Sequence, residues 1–330
     1  MKALLQRAYG MPDVLELTEV ATPTAGQGEV LVRVRAASIN AADWFIMTGK
    51  PYIMRLAFGP SRPKVQIRGR DVAGTVEAIG AGVTRFAIGD RVFAECETGS
   101  LAEFAVVAER SLAHAPARLS FDQAAAVPIA GTTALQAFTE AAVVAPGQRV
   151  LVNGASGGVG TFAVQIAVAL GAEVTAVCSA RNAAQATELG AHRVIDYTVS
   201  DFTAEPQRYD VVLDLVGNHS LRALRRTLTE RGALVLSSGA GSAVFGPIGR
   251  LLRASIYNLF VRQRVVPLVG SSTVERLHRL TQLIDAGSVT PRIEASFPLA
   301  DGPAAMQRFG REHARSKIVV VVVVAAAVAQ

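Results

Sequence analysis

From Asn153 to Gly160 the chain reads Asn-Gly-Ala-Ser-Gly-Gly-Val-Gly. An apolar β-branched stretch, Arg149 to Val152, precedes this run, and a segment of helical spacing, Val159 to Leu170, follows it, so the glycines fall at a strand-to-helix turn. Backbone stripped of side chains there lets amide N–H groups close on a pyrophosphate, and the helix start adds orphan donors and the positive end of the dipole. Ala155, Ser156, Gly157, Gly158, Val159 and Gly160 are the candidate phosphate cradle, with the three glycines making the close approach. The same residues also satisfy G-x-S-x-G, which would make Ser156 a hydrolase nucleophile with Asp285 and His313 as downstream acid and base. In hydrolases that turn follows several parallel strands, whereas the chain before Ser156 alternates like antiparallel β-structure, so dinucleotide binding is the leading reading.

The choice between the two nicotinamide dinucleotides is made at the end of the second strand, where a carboxylate would hold a ribose 2′-hydroxyl. Here the chain reads Val177-Cys178-Ser179-Ala180-Arg181-Asn182, without an acid. Ser179 offers a hydroxyl and Arg181 a charge-assisted fork for a 2′-phosphate, which selects NADP(H).

Metal chemistry finds little support. Cys96 and Cys178 make neither a disulfide framework nor a zinc site, and His114, His192, His219, His278 and His313 form no spaced pair. No metal ligands are assigned. Asp43 and Asp71 follow short β-type motifs where an Asp bonds turn amides, and are read so rather than as an acid–base pair.

The positioning elements fall into two classes. In the first third, Glu29–Val34, Val72–Ala78, Arg91–Ala94 and Ala102–Val107 alternate between Gly and Pro punctuation, which predicts antiparallel β-structure. After an Ala-rich helical stretch from Gln123 to Ala142, strand-like and helical runs alternate through Leu236, which predicts a doubly wound parallel sheet of Rossmann type. Arg250–Arg264 reads as helix, Val265–Gly270 as a strand, Val274–Ala286 as an amphipathic helix and Lys317–Val324 as a last strand. The fold class is α/β, with a β-rich domain over residues 1–122 completed by 272–330, and a dinucleotide-binding domain over 123–271.

Of 330 residues, 50% are hydrophobic and 18% charged, which excludes a disordered chain. The net charge of +6 comes with no Lys/Arg block, reads as a solvated, slightly basic surface and requires no nucleic acid. Gln6 and Arg7 interrupt any signal-peptide core, so a cytoplasmic location is expected, and the apolar run Ile318 to Ala329 is short of the roughly 20 residues of a membrane helix, so no membrane is expected as a partner.

Several further stretches carry a resemblance: Ser38-Ile39-Asn40-Ala41-Ala42-Asp43, Gly69-Arg70-Asp71-Val72-Ala73-Gly74, Gly89-Asp90-Arg91-Val92, Ala130-Gly131-Thr132-Thr133-Ala134, the Gly154–Gly160 turn, and His313-Ala314-Arg315-Ser316-Lys317-Ile318-Val319. With them the chain resembles zinc-independent medium-chain dehydrogenases/reductases of the quinone oxidoreductase or zeta-crystallin type over nearly its whole length. The resemblance implies a GroES-like catalytic domain, a Rossmann domain, a cleft between them for NADPH and substrate, and a homodimer joined through the Rossmann sheet edge at Val265–Gly270. It also implies that Asn40, Thr132 and Lys317 contact cofactor, that Tyr197 lies beside Ser179 and Arg181, and that the Val216-Gly217 and Ser238-Gly239 turns lie where the dinucleotide crosses the sheet. Where zinc-dependent members carry Cys and His ligands, this chain has Asn40 and Arg70-Asp71.

The function expected is hydride transfer from NADPH to a quinone or α,β-unsaturated carbonyl, with Tyr52 and Asn40 as candidate donors to the developing oxyanion and Trp44, Phe45 and Tyr52 as acceptor walls. The alternatives are an NADP-dependent alcohol or aldehyde dehydrogenase, the Ser156 hydrolase, and a non-enzymatic NADPH- or RNA-binding protein of crystallin type.

Overall fold

The computed structural model describes residues 1–237, 262–311 and 315–323. The chain divides into two compact units: Met1–Ile129, Ser272–Asp285 and Pro291–Gln330 form the first, and Ala130–Ser271 with Ala286–Thr290 the second.

The first unit opens with β1 (Lys2–Gln6) and β2 (Leu15–Glu19), an antiparallel pair. The long strand β3 (Glu29–Ile39) runs directly into α1 (Ala41–Thr48), and a single turn, α2 (Arg55–Phe58), follows. Then come β4 (Asp71–Ile79), β5 (Arg91–Glu95), β6 (Phe104–Ala108), β7 (Leu112–His114) and α3 (Phe121–Ala125). The helical stretch expected from Gln123 to Ala142 is broken: α3 ends before Pro128, α4 (Pro128–Gln136) begins there, and a wider π turn covers Ala137–Ala141. Proline has no amide to donate and is tolerated only in a first helical turn, which places the break. Because α3 packs on β3 and β4, the first unit extends to Ile129, past the expected boundary at residue 122.

In the second unit, β8 (Arg149–Asn153), α5 (Gly158–Ala169), β9 (Glu173–Cys178), α6 (Ala183–Glu188), β10 (Arg193–Asp196), β11 (Tyr209–Asp214), α7 (Leu221–Arg226), β12 (Leu228–Leu236) and β13 (Arg264–Pro267) build a wholly parallel sheet. Its order is β10-β9-β8-β11-β12-β13, the Rossmann order, with the reversal of direction between β8 and β11. β8, β9 and β11 are apolar along most of their length because helical crossovers cover both faces of such a sheet.

The chain returns to the first unit through α8 (Val274–Asp285), whose Leu277, Leu280 and Ile284 are buried at helical spacing. β14 (Ile293–Pro298), α9 (Gly302–Arg311) and β15 (Lys317–Val321) complete it. The resulting sheet has the order β14-β15-β3-β4-β5-β7, with β6 also on β3. Along β3 the apolar alternation gives way from Ala36 onward to four successive buried residues, where β15 covers the strand. The expected helix over Arg250–Arg264 lies almost wholly outside the described residues, as do Ser238, Gly239, His313 and the Ala-rich end of the chain. Among the described residues no helix is long and apolar enough to cross a membrane.

Candidate functional site

In the second unit, β8 ends at Asn153 and the chain turns through Gly154, at φ +90°. The amides of Gly154 and Ala155 donate to Val177 O of β9 at 3.2 and 3.1 Å, which fixes the turn to the sheet. At Gly160 a Cβ would lie 2.1 Å from Gly154 O, so only glycine lets α5 pack against the turn. Gly157 differs: a Cβ there would meet only Gly154 O, at 3.5 Å. It caps α5 without a side-chain bond, leaving first-turn amides available to an anion.

Two residues that the sequence reading passed over hold the neighbouring turn. Asn153 Nδ2 donates to Asp214 Oδ1 at 2.8 Å and to Asn218 Oδ1 at 3.0 Å, and the amides of Val216 and Gly217 donate to the same Asp214 oxygen at 3.3 and 3.0 Å. A Cβ on Gly154 would come within 2.9 Å of Val216, so the two turns are neighbours at the point where the sheet reverses. Polar residues closing apolar strands, Asn153 in β8 and Asp214 in β11, were the available signal; both are buried.

Ser179, Arg181 and Tyr197 lie at the same edge. Asp196 of β10 is in register with Cys178 of β9, and Tyr197 N donates to Cys178 O at 3.2 Å. Asn182 Nδ2 donates to Ser179 Oγ at 3.2 Å. A carboxylate does reach this edge, from β10 rather than from the segment after β9: Asp196 accepts the Thr198 amide and hydroxyl, which hold its carboxyl below the usual range. Thr132 is buried within α4.

The first unit holds a buried polar network centred on Asp71. Asp71 Oδ2 accepts from Ser38 Oγ at 2.8 Å, Asn40 Nδ2 at 2.9 Å and Lys317 Nζ at 3.2 Å, while Oδ1 accepts the Ile129 amide at 3.0 Å. Lys317 Nζ also donates to Asn40 Oδ1 at 2.5 Å. Asn40 Nδ2 gives a longer bond of 3.4 Å to Ser38 O, so its amide is engaged on every side. Asn40, expected as a donor to the acceptor and a contact for cofactor, and Lys317, expected as a contact for cofactor, are both drawn into this network. Both are buried, and each completes the other's bonding.

Asn40 N donates to Asp43 Oδ2 at 2.8 Å, fixing the start of α1. Burial, reinforced by the Asp71 charge, pushes the Asp43 carboxyl up from 3.8 to about 6. The folded state therefore holds the proton more tightly than the unfolded chain, and this residue's contribution to stability is lost as pH rises through that window. Compared by thermal unfolding with Asp43→Asn, the native chain should lose about 2 kcal/mol between pH 4.5 and 7.5, the variant's Oδ1 still accepting the Asn40 amide. Parallel curves would show that Asp43 titrates normally.

The three apolar candidates part company. Trp44 packs on the core and lies over Gly310 of α9, where a Cβ would come 2.0 Å from the indole. Phe45 is half-buried. Tyr52 is 45% exposed, its ring facing the Arg55 guanidinium at 4.8 Å.

Among the described residues no group of three or more His, Cys, Asp or Glu converges that could hold a metal ion. The Asp71 oxygens are taken up by four protein donors.

Two family models match the chain: an alcohol dehydrogenase GroES-like domain over residues 26–117 and a zinc-binding dehydrogenase over residues 189–320. The chloroplast envelope quinone oxidoreductase homolog of Arabidopsis thaliana is 33% identical over 97% of this chain and 98% of its own. The mitochondrial NAD(P)H oxidoreductase RTN4IP1 of Mus musculus is 31% identical over 98% of this chain and 89% of its own. Among solved structures, the quinone oxidoreductase of Coxiella burnetii superposes with a TM-score of 0.84 at 29% identity, covering 98% of this chain and 99% of its own. A mycobacterial protein complexed with NADPH superposes at 0.82 with 27% identity, over 97% and 100%. The chain belongs to the medium-chain dehydrogenase/reductase superfamily, in its quinone oxidoreductase-like branch. It is an oxidoreductase built from a GroES-like and a Rossmann unit, and the Ser156 hydrolase reading falls away.

Proposed function

We propose that this protein reduces a quinone or an α,β-unsaturated carbonyl with NADPH and without a metal. The observation that carries the reading is the convergence, at one edge of a Rossmann-ordered sheet, of the glycine turn, the Val216-Gly217 turn and the Ser179/Arg181 segment. When bound, NADPH supplies the hydride; the chain supplies binding, orientation and a polar environment for the acceptor oxygen. The turn from Ala155 to Gly160 and the start of α5 hold the pyrophosphate, and the Asn153–Asp214 pair keeps the adjoining turn in place. Ser179 and Arg181 receive the 2′-phosphate, with the Asp196 carboxylate already committed to the Thr198 turn. In the first unit the Asp71 network fixes the junction of β3 and α1, and the Tyr52 hydroxyl remains the side-chain donor for the acceptor oxygen. Quinones and enones are preferred because polarising a plain carbonyl without zinc is harder. The outer strand β13 offers a sheet edge through which a homodimer forms, and a cytoplasmic setting completes this reading.

Fluorescence titration tests the cofactor assignment. Arg181→Ala should weaken NADPH about tenfold to a hundredfold and leave NADH nearly unchanged. Equal losses for both would remove Arg181 from the 2′-phosphate.

A further inference from the structure

The charge surplus of the chain is concentrated in one place. Between Asp43 and Asp71 there is no carboxylate, but there are six cations, Lys50, Arg55, Arg62, Lys64, Arg68 and Arg70; the rest of the chain carries equal numbers of each sign. Arg68 is buried and Arg70 pairs with Glu95, so these two serve the fold. Lys50, Arg62 and Lys64 are exposed, and none has an acidic partner among the described residues. Arg55 is held between the rings of Tyr9 and Tyr52, at 4.4 and 4.8 Å, with Nε on Gly49 O at 3.0 Å.

Apolar side chains are interleaved with these cations. Leu56 is 78% exposed, Tyr52 45% and Val65 41%. The segment is a built lobe rather than a loose loop: Tyr9 Oη donates to Gly59 O at 2.6 Å, and Lys64 N donates to Phe58 O at 2.8 Å. Gly59, at φ +125°, makes the tight return, where a Cβ would lie 2.0 Å from Arg62 O. Cations and apolar groups are thus presented in a fixed arrangement before any partner arrives.

We propose that the lobe from Lys50 to Val65 docks on an anionic lipid bilayer, from which the protein takes up a membrane-dissolved quinone. A bilayer supplies both features the lobe lacks: negative headgroups for Lys50, Arg62 and Lys64, and an apolar layer a few ångströms deeper for Leu56 and Val65. A nucleic acid would answer the charges and leave Leu56 in water. An acidic protein surface would need an apolar pocket of its own, matched in position to Leu56 and Val65, whereas a bilayer offers an apolar layer beneath every headgroup. The uptake half rests on the quinone reading above; the docking half does not.

The test is sedimentation of the full chain with vesicles of phosphatidylcholine alone and of phosphatidylcholine with about one-third phosphatidylglycerol, at about 0.1 M and about 0.5 M salt. Binding is expected on the anionic vesicles at low salt, with little on the neutral ones. The triple reversal Lys50→Glu, Arg62→Glu, Lys64→Glu should lower bound protein by at least about tenfold, and Leu56→Ser by a few-fold, with unfolding midpoints unchanged. Both variants should reduce a short-chain, water-soluble quinone at the native rate and a long-chain quinone embedded in anionic vesicles more slowly. Equal sedimentation on neutral and anionic vesicles, or no response to the charge reversals, would overturn docking. Vesicle binding without reduction of any quinone would leave docking standing and remove the uptake half.

Discussion

Alanine at Gly157 should raise the dissociation constant for NADPH at least about tenfold, roughly 1.4 kcal/mol, while the thermal unfolding midpoint stays within about a degree of the native value. The two halves of that result come from the same geometry. Gly157 has φ −76° and ψ 174°, a backbone any residue adopts, and its Cβ would meet nothing nearer than Gly154 O at 3.5 Å. The protein alone has no use for glycine there, so a lost affinity reports a ligand that lies against the backbone. Gly160→Ala is the contrasting control. Its Cβ would fall 2.1 Å from Gly154 O and 2.7 Å from Ala155 backbone atoms, so it should lower stability by about 1–3 kcal/mol as well as affinity. Unchanged NADPH affinity in Gly157→Ala, read from a fluorescence titration beside a melting curve, would place the pyrophosphate away from this turn.

Lys317→Met should have the largest effect on stability, about 3–5 kcal/mol by urea unfolding. It leaves Asp71 buried and charged, with Ser38, Asn40 and the Ile129 amide as its remaining donors, and takes from Asn40 Oδ1 its hydrogen bond. Adding Asp71→Asn to that variant should recover part of the loss, because the uncompensated charge goes with it. A loss below about 1 kcal/mol for Lys317→Met would mean that water reaches the site and the network is not closed.

The parts of the fold that the sequence discloses are those written in contiguous residues. The glycine turn, the strand-helix alternation after it and the amphipathic Val274–Asp285 helix each fit within one or two dozen positions, where periodicity and turn chemistry act directly. The Asp71 network could not be read that way. Its members come from residues 38, 40, 71, 129 and 317, brought together by the pairing of β3 with β4 and β15, by the start of α1 at Asn40 and by the start of α4 at Ile129. Asn40 was accordingly seen as a polar residue in a promising motif, with no sign that its amide is engaged on every side. Asp196 was missed for a related reason: it reaches the end of β9 sideways, by strand register. The break at Pro128 was legible in principle, and the Ala-rich composition around it masked the signal.

The position of β15 has a consequence for how the chain is made. Strand Lys317–Val321 inserts between β3 and β14, antiparallel to the one and parallel to the other. On a ribosome adding roughly 5–20 residues per second, β3 therefore waits on the order of a quarter of a minute to a minute for its neighbour. During that interval the unpaired edge of β3 and the carboxylate of Asp71 have no partner from β15, whereas the parallel strands from β8 to β13 emerge as one contiguous block. The strands of the parallel sheet can thus pair first, while the Ala36–Ile39 end of β3 stays without β15 until Val321 has been made.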